Sequence, residues 1–299
     1  MVKVLSESRG PRVPPHLWFV GSEFFHYLGP SFAVLLFSRV PVGGVAWLRI
    51  VSAGLVFSIW RQPWKTFSSC DRRTRRLIVA LGFVFAIMNY TFYLAIDRLP
   101  LGTVAAIEFL GPIALALIGF RTRRNLLALA LAVIGVYLLT DVRFAGDPGA
   151  FGWAFANAAL FTLYIVLAHA LARADTLTKP VDRLAAAMVV AAVVITPLGF
   201  ADAAPALLDG IALIGGIGVG FSSSVIPYVF DQMAMSQLSR STYSLFTALL
   251  PATAVVVGVV VLTQIPRPIE VLAVVLVIAG VLIHQEPRDQ AGSQRWQGR

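Results

Sequence analysis

Long apolar segments separated by short polar connections recur along the whole of this 299-residue chain. A helix that crosses a bilayer needs roughly 20 mainly apolar residues, and ten segments of about that length can be read from the sequence. They span residues 17–37, 42–60, 77–96, 100–119, 125–140, 150–171, 183–201, 210–233, 241–262 and 268–284. The pattern therefore predicts an all-α membrane protein with ten transmembrane helices.

Composition and charge agree with this prediction. Hydrophobic residues make up 58% of the chain and charged residues only 13%, which excludes a water-soluble globular protein. The net charge of +9 comes mostly from arginines and lysines on every second connection, as in "DRRTRR" at 71–76. Basic connections mark the cytoplasmic side, so the tails 1–16 and 285–299 are both predicted to be cytoplasmic. The basic run is expected to face anionic lipids rather than nucleic acid.

The chain also resembles itself. Shifting it by 139 residues places Pro112 on Pro251 and lays "AIDRLPLGTVAAIEFLGPIALALIG" over "AMSQLSRSTYSLFTALLPATAVVVG". Five helices would then be repeated once, and because five is odd the second copy must be inverted relative to the first. The sequence thus predicts a first repeat over 17–140 and a second over 150–284. Inverted repeats are a transporter architecture whose substrate sites lie between the two copies.

Prolines inside three of the predicted helices indicate where a cavity lies. Proline has no N–H, so Pro112 leaves the carbonyl of Glu108 without its helical partner, and Pro251 does the same for Thr247. Pro30 interrupts the first helix in this way. Freed backbone at membrane depth is tolerated only against protein or a wet cavity, so the three helix breaks are predicted to line one.

Two charged residues lie well inside apolar segments. Arg49 and Glu108 each follow the outer end of a predicted helix by about seven residues, which places both roughly 10–12 Å deep. A lone charge at a helix centre costs roughly 2.5–3.5 kcal/mol, so each needs a partner or a polar cavity. Equal depth allows an ion pair, which is either a purely structural lock or part of a substrate site.

Other polar side chains complete the predicted site. Those expected to contact substrate, besides Arg49 and Glu108, are Asn89, Tyr90, Tyr93, Tyr228 and Thr247. Glu108 and Glu23 are the candidates for ion coupling. Asp231 is near the end of its predicted helix and is expected to reach the lipid headgroups.

The sequence lacks the motifs of several other functions. The glycines of "GGIGVG" at 215–220 lie in an apolar span, so Gly216 and Gly220 are expected to permit close helix packing rather than phosphate binding. No Gly-Lys-Ser/Thr loop, His-Glu-x-x-His or Gly-x-Ser-x-Gly motif is present, which weighs against an ATPase or a membrane hydrolase. With a single cysteine, Cys70, thiolate clusters are excluded, and no metal or other cofactor is expected.

The stretch "MNYTFYLAIDRLPLGTVAAIEFLGPIALAL" resembles the EamA repeat of the drug/metabolite transporter superfamily, most closely that of threonine/homoserine exporters. "WLRIVSAGLVF" resembles the arginine-bearing second helix of the same group. The likeness covers about 17–285 and is strongest over 85–140. It implies ten helices, an inner-membrane location and export of amino acids or related metabolites.

The second repeat departs from that family pattern. Family members often carry Glu-Pro where this chain has Leu250 and Pro251, and Gly-Glu where it has Thr263 and Gln264. These departures leave the first repeat as the only one expected to carry a midplane acid.

The principal hypothesis is a secondary transporter that exports small neutral amino acids such as threonine or homoserine and is driven by protons. Arg49 would face a carboxylate, and Glu108 an ammonium group or the coupling proton. An exporter of drugs or of another metabolite is the alternative within the superfamily. A membrane-embedded lipid enzyme would need clustered catalytic groups, whereas the acids here are dispersed. A non-transporting scaffold would need neither Glu108 nor the helix breaks.

Overall fold

In the computed structural model, the described residues, which are 15–111, 122–143, 148–172, 174, 178–237 and 250–283, are helical and contain no β-strand. The α-helices are α1 (Pro15–Leu36), α2 (Val42–Arg61), α3 (Pro63–Ser69), α4 (Arg72–Ile96), α5 (Leu101–Glu108), α6 (Arg123–Arg143), α7 (Pro148–Ala172), α8 (Pro180–Ala203), α9 (Gly210–Gly220), α10 (Ile226–Gln237), α11 (Leu250–Leu262) and α12 (Pro268–Ile283). A 3₁₀ turn (Ala204–Leu207) follows α8, and a π turn (Phe221–Val225) joins α9 to α10.

Most of the predicted segments correspond closely to these helices. Five stretches among the described residues are long and apolar enough to cross a membrane, and two shorter apolar helices accompany them. One predicted helix is interrupted, because α5 ends at Glu108. The segment 210–233 contains a π turn but runs continuously from Gly210 to Asp231 as one span. The short helix α3 is an addition that the apolar pattern did not predict. The described part of the chain is therefore all-helical and has the apolar helices of a membrane protein.

The main helix contacts join the part of the chain before residue 144 to the part after residue 147. Helix α2 packs against α8 and α9, α4 packs against α7 and α8, and α1 packs against α10 and α11. Helix α5 packs against α7 and α11, and α6 packs against α12. Polar side chains on the facing surfaces of α1, α2, α4 and α5 consequently meet those of the second half.

Glycines allow the π turn and its flanking helix to approach α1 and α2 closely. A Cβ atom added to Gly220 would lie 2.6 Å from the carbonyl oxygen of Arg49 and would also collide with Ser52. A Cβ added to Gly29 of α1 would lie 2.8 Å from the Cα atom of Ser223. At Gly216 the added atom would lie 2.6 Å from Leu48. The predicted packing role of Gly216 and Gly220 is confirmed.

Carboxylates cap two helices outside the membrane-spanning segments. Asp71 accepts hydrogen bonds from the backbone N–H groups of Thr74 and Arg73, at 3.1 and 3.3 Å. Hydrogen bonds from Thr74, and a weaker one from Arg73, hold the pKa of the Asp71 carboxyl below its usual range. Asp209 caps α9 in the same way, and backbone N–H groups of Ala212 and Ile211 lower its pKa. Both caps therefore stay ionised at neutral pH and satisfy N–H groups that the helices cannot.

The loop after α11 explains why the family that this sequence resembles often has glycine at the position of Thr263. Thr263 has φ 53°, a left-handed conformation that glycine adopts without the strain caused by a Cβ atom. The next residue, Gln264, accepts a hydrogen bond from the Leu101 N–H at 3.1 Å. The turn thus places a side-chain oxygen against the start of α5.

We expect Gly220→Ala to destabilise the protein by about 1–3 kcal/mol, because the Arg49 carbonyl is backbone and cannot move aside easily. Gly218→Ala is the matched control, since nothing lies within 4 Å of a Cβ added there. Thermal unfolding of the two purified variants in the same detergent measures the difference. Equal midpoints would show that the contact at Gly220 is not tight.

Candidate functional site

Arg49 is buried between the two halves, with only 3% of its surface exposed. Its Nε donates a hydrogen bond to the Ser224 hydroxyl at 3.0 Å, and its Nη2 donates to the Ser223 carbonyl at 2.8 Å. The guanidinium carbon lies 5.4 Å from the centre of the Tyr93 ring, which attracts it by a cation–π interaction. Helices α2 and α4 therefore hold the cation against the π turn of the second half.

The π turn explains why Arg49 finds an acceptor in this backbone. A π turn shifts the hydrogen-bond pattern from i+4 to i+5 and leaves carbonyl groups available to outside donors. The run "FSSSV" that forms it places Ser223 and Ser224 in fully buried positions. Ser222 is on the exposed side and donates to the Gly218 carbonyl of its own helix at 2.8 Å.

Glu108 is the last residue of α5, so its carboxyl lies where the helix is interrupted. Its Oε1 accepts a hydrogen bond from the Asn157 amide of α7 at 3.0 Å. No salt bridge joins it to Arg49 in the described structure, although the two charges are within electrostatic range. The ion pair that equal depth allowed is thus replaced by two separate sets of polar partners.

Two further carboxyls lie in the same region. Glu23 of α1 is buried and within electrostatic range of both Glu108 and Asp231. Asp231 of α10 is only 4% exposed and accepts a hydrogen bond from the Ser22 hydroxyl at 2.6 Å. The expectation that Asp231 reaches the headgroups was wrong, because α10 packs along α1 and turns this carboxyl inward. The first half is therefore not alone in supplying a buried acid.

Aromatic rings form one wall beside these charges. The Tyr228 ring centre lies 4.9 Å from that of Phe85, 5.4 Å from that of His26 and 6.2 Å from that of Tyr164. Phe85 and Tyr164 are 5.1 Å apart. Edge-to-face and tilted contacts of this kind are favourable and fix the ring positions. The wall joins α1, α4, α7 and α10.

Five buried polar atoms of this region have no hydrogen-bond partner in the part of the chain that the structure describes. They are Glu23 Oε2, His26 Nδ1, Tyr93 Oη, Asn157 Oδ1 and Ser223 Oγ. Buried polar groups are almost always satisfied by protein, water or ligand. The cluster therefore has unused hydrogen-bonding capacity around one cation and three carboxyls.

The structure brings together most of the described residues predicted for the site. Asn89 donates to the Phe85 carbonyl at 2.8 Å, and its amide lies beside the Tyr228 hydroxyl. Tyr90 is turned away, with its ring beside Gly43 at the start of α2. The predicted helix break at Pro30 is not found, because α1 continues through this residue to Leu36, whereas Pro251 lies at the second position of α11. The other two, Thr247 and Pro112, lie outside the described residues.

Three residues of this site were not among those predicted to contact substrate or to couple ions. Asn157, Ser223 and Ser224 were recognisable only as polar residues in apolar segments, a property that many helix-packing side chains share. Among the described residues, no His, Cys, Asp or Glu side chains are grouped to hold a metal ion.

Comparison with known proteins identifies the family. The chain is 30% identical over 269 residues to the threonine/homoserine exporter RhtA of Salmonella typhimurium (strain LT2), covering 87% of this chain and 89% of that protein. It is 31% identical over 257 residues to RhtA of Escherichia coli (strain K12), with 84% of each chain covered. The model of the EamA-like transporter family matches residues 149–284. The chain belongs to the EamA-like transporter family.

Membership of the EamA-like transporter family makes this chain a multi-pass inner-membrane transporter of small molecules rather than an enzyme. The family model matches the second half, whereas the sequence resemblance was expected to be strongest over 85–140. A solved crystal structure that is 17% identical has the same fold, with a TM-score of 0.55 over 95% of this chain and 99% of that chain.

Two of the three serines of the π turn, Ser224 and Ser222, give a matched test of the Arg49 anchor. We expect Ser224→Ala to cost about 1–3 kcal/mol of stability, because it leaves a buried, charged N–H without an acceptor. Ser222→Ala should be nearly neutral, since that hydroxyl bonds only within its own turn. Thermal unfolding in detergent compares them, and equal midpoints would argue against the anchor.

Proposed function

We propose that this protein exports small neutral amino acids of the threonine and homoserine type through the cluster between its two halves. The observation that supports this most is the convergence of Arg49, Glu108 and the five unsatisfied buried polar atoms on one region. The relatives named threonine/homoserine exporters point to the same substrate class.

Charge balance favours a substrate that carries an ammonium group. Glu23, Glu108 and Asp231 supply three carboxyls, whereas Arg49 supplies one cation. An excess of negative charge in a low-dielectric site is costly unless a bound cation or protons neutralise it. The ammonium group of an amino acid would be held by Glu108, with protons on the remaining carboxyls.

The carboxylate of the substrate would be held by Arg49. Two of its five N–H groups donate to Ser223 and Ser224 in the described structure, and the guanidinium also lies beside the Tyr93 side chain, which leaves further donors for a substrate carboxylate. A substrate hydroxyl would bond to one of the unsatisfied atoms of Asn157, Tyr93 or Ser223. The aromatic wall around Tyr228 would limit the size of the side chain.

The helix contacts support two inverted five-helix repeats, 17–140 and 150–284. The two halves can be compared by exchanging α1 with α7, α2 with α8, α4 with α9 and α10, α5 with α11, and α6 with α12. Each major contact between the halves then maps either onto itself, as that of α2 with α8 does, or onto another contact. The contact of α1 with α10 maps onto that of α7 with α4, and α2 with α9 maps onto α8 with α4. The contact of α1 with α11 maps onto α7 with α5. The basic connections orient this bundle with both termini in the cytoplasm.

Proton coupling is proposed for the pair formed by Glu23 and Asp231. The two carboxyls come from opposite halves, and each is buried in the contact between α1 and α10. Adjacent carboxyls do not readily stay ionised together, so the pair would take up a proton in one state of the transporter and release it in another. Glu108, bonded to Asn157, would then remain available to the substrate ammonium.

We expect Glu108→Gln to lower threonine efflux from proteoliposomes roughly tenfold to a hundredfold, because a charged hydrogen bond to the substrate contributes about 1.5–3 kcal/mol. Asp202→Asn is the control, since Asp202 is also a carboxyl on a spanning helix but is beside Gly43. Wild-type protein should export threonine much faster than valine, which has the same shape without the hydroxyl. Efflux of apolar drugs but not of threonine would instead identify a drug exporter.

The coupling proposal predicts a selective defect. We expect Glu23→Gln to abolish the acceleration of threonine efflux by an acidic exterior while leaving threonine exchange between the two sides intact. The reason is that exchange needs substrate binding and conformational change but no net proton movement. The measurement is radiolabelled threonine flux with and without a pH gradient. A variant that still responds to the gradient as the wild type does would exclude Glu23 as the coupling group.

A further inference from the structure

An open groove of about 930 Å³ lies on the outside of the bundle between α4 and α7. One end is lined by Arg72, Arg75 and Arg76, which begin α4. The groove continues past Ala80 and Phe83, and its other wall is formed by α7. The groove thus has a positively charged end and an apolar remainder.

The wall on α7 shows that the furrow is separate from the proposed substrate site. It is formed by Leu163 and Leu167, one turn apart on that helix, and Leu163 is 44% exposed. Phe85 and Tyr164, which belong to the aromatic wall inside the bundle, are buried. The same two helices therefore present a polar cluster inward and this groove outward.

The side chains of the three arginines are exposed. No hydrogen bond, salt bridge or ring contact holds the side chain of Arg72, Arg75 or Arg76 in the described structure. Arg61, on the same side by the proposed topology, is by contrast paired with Asp182. Three unpaired guanidinium groups at one end of an apolar furrow favour an anionic head attached to an apolar chain.

We propose that this groove binds one anionic phospholipid of the cytoplasmic leaflet. The phosphate would be held by Arg72, Arg75 and Arg76, because guanidinium groups bind phosphate oxygens bidentately. An acyl chain would lie along Ala80 and Phe83, against α7. From Arg76 to Phe83 the helix rises about 10 Å, which is enough for much of one chain.

Neither a free phosphate nor a zwitterionic lipid fits the furrow as well. A soluble phosphate would leave the apolar part unused, and a zwitterionic headgroup would bring its own cation to three arginines. Lipid on a flat helix surface exchanges freely, whereas a concave site buries more of the chain. Because α4 carries Tyr93 and α7 carries Asn157, a lipid that bridges these helices would also stabilise the walls of the proposed transport site.

The test is native mass spectrometry of the full chain in detergent, with dioleoyl phosphatidylglycerol, dioleoyl phosphatidylethanolamine and glycerol 3-phosphate as probes. We expect phosphatidylglycerol to be retained, phosphatidylethanolamine to dissociate and glycerol 3-phosphate not to bind. Arg75→Gln with Arg76→Gln should weaken phosphatidylglycerol binding about thirtyfold. Arg73→Gln with Arg123→Gln is the control, because it removes the same charge from exposed positions outside the groove.

Further variants distinguish the contribution of the groove's shape from that of its positive charge. Arg75→Lys with Arg76→Lys should keep most of the binding, whereas Ala80→Trp should fill the furrow and weaken binding without changing any charge. If the two double glutamine variants lose phosphatidylglycerol binding equally, the lipid is attracted by overall charge and the proposal is wrong. Equal retention of phosphatidylglycerol and phosphatidylethanolamine would also overturn it. Tight binding of glycerol 3-phosphate would reveal a phosphate site rather than a lipid site. If Ala80→Trp fails to fold, the exposed arginine variants decide.

Discussion

The burial of one guanidinium group is the constraint on which the rest of this structure depends. Arg49 lies in an apolar bundle where an unpaired charge is expensive, so the opposite half must supply acceptors. It does so by opening a π turn at Ser223 and Ser224. That turn can approach closely only because Gly29 and Gly220 have no side chains. The burial of Arg49 thus requires α1, α2 and the π turn between α9 and α10 to pack closely.

The buried polar atoms of the same region have fewer hydrogen-bond partners than those of an ordinary protein core. A core built for stability would pair each of its polar atoms, whereas here Glu23 retains a buried carboxyl oxygen and Asn157 a buried amide oxygen without a partner in the described structure. Such atoms lower the stability of the empty protein and are tolerated where something else completes them. A transporter must also release what it binds. Incomplete satisfaction by the protein keeps the substrate-bound and empty states close in free energy.

Much of the fold was predictable because apolar length is a one-dimensional property of the sequence. Arg49 and Glu108 were conspicuous for the same reason, as charges in apolar surroundings. Which way a side chain faces depends on its neighbours, and the sequence did not contain that information. Tyr90 and Tyr93 are three residues apart on α4, yet only Tyr93 meets Arg49. Asp231 was misjudged because its depth was counted from the end of an apolar segment, whereas α1 covers it.

The two faces of the α4 and α7 pair impose opposite requirements on neighbouring residues. Phe85 and Tyr164 must stay in fixed positions inside the bundle, whereas Phe83 and Leu163, two and one residues away, remain partly exposed outside it. Substitutions in the outer furrow therefore act on the inner cluster only by changing how the helices pack. A lipid seated between the cytoplasmic ends of these helices would hold them together without contacting the substrate. It would change the rate of opening rather than the choice of substrate, because in the proposed site the substrate would be selected by Arg49, Glu108 and the polar atoms around them.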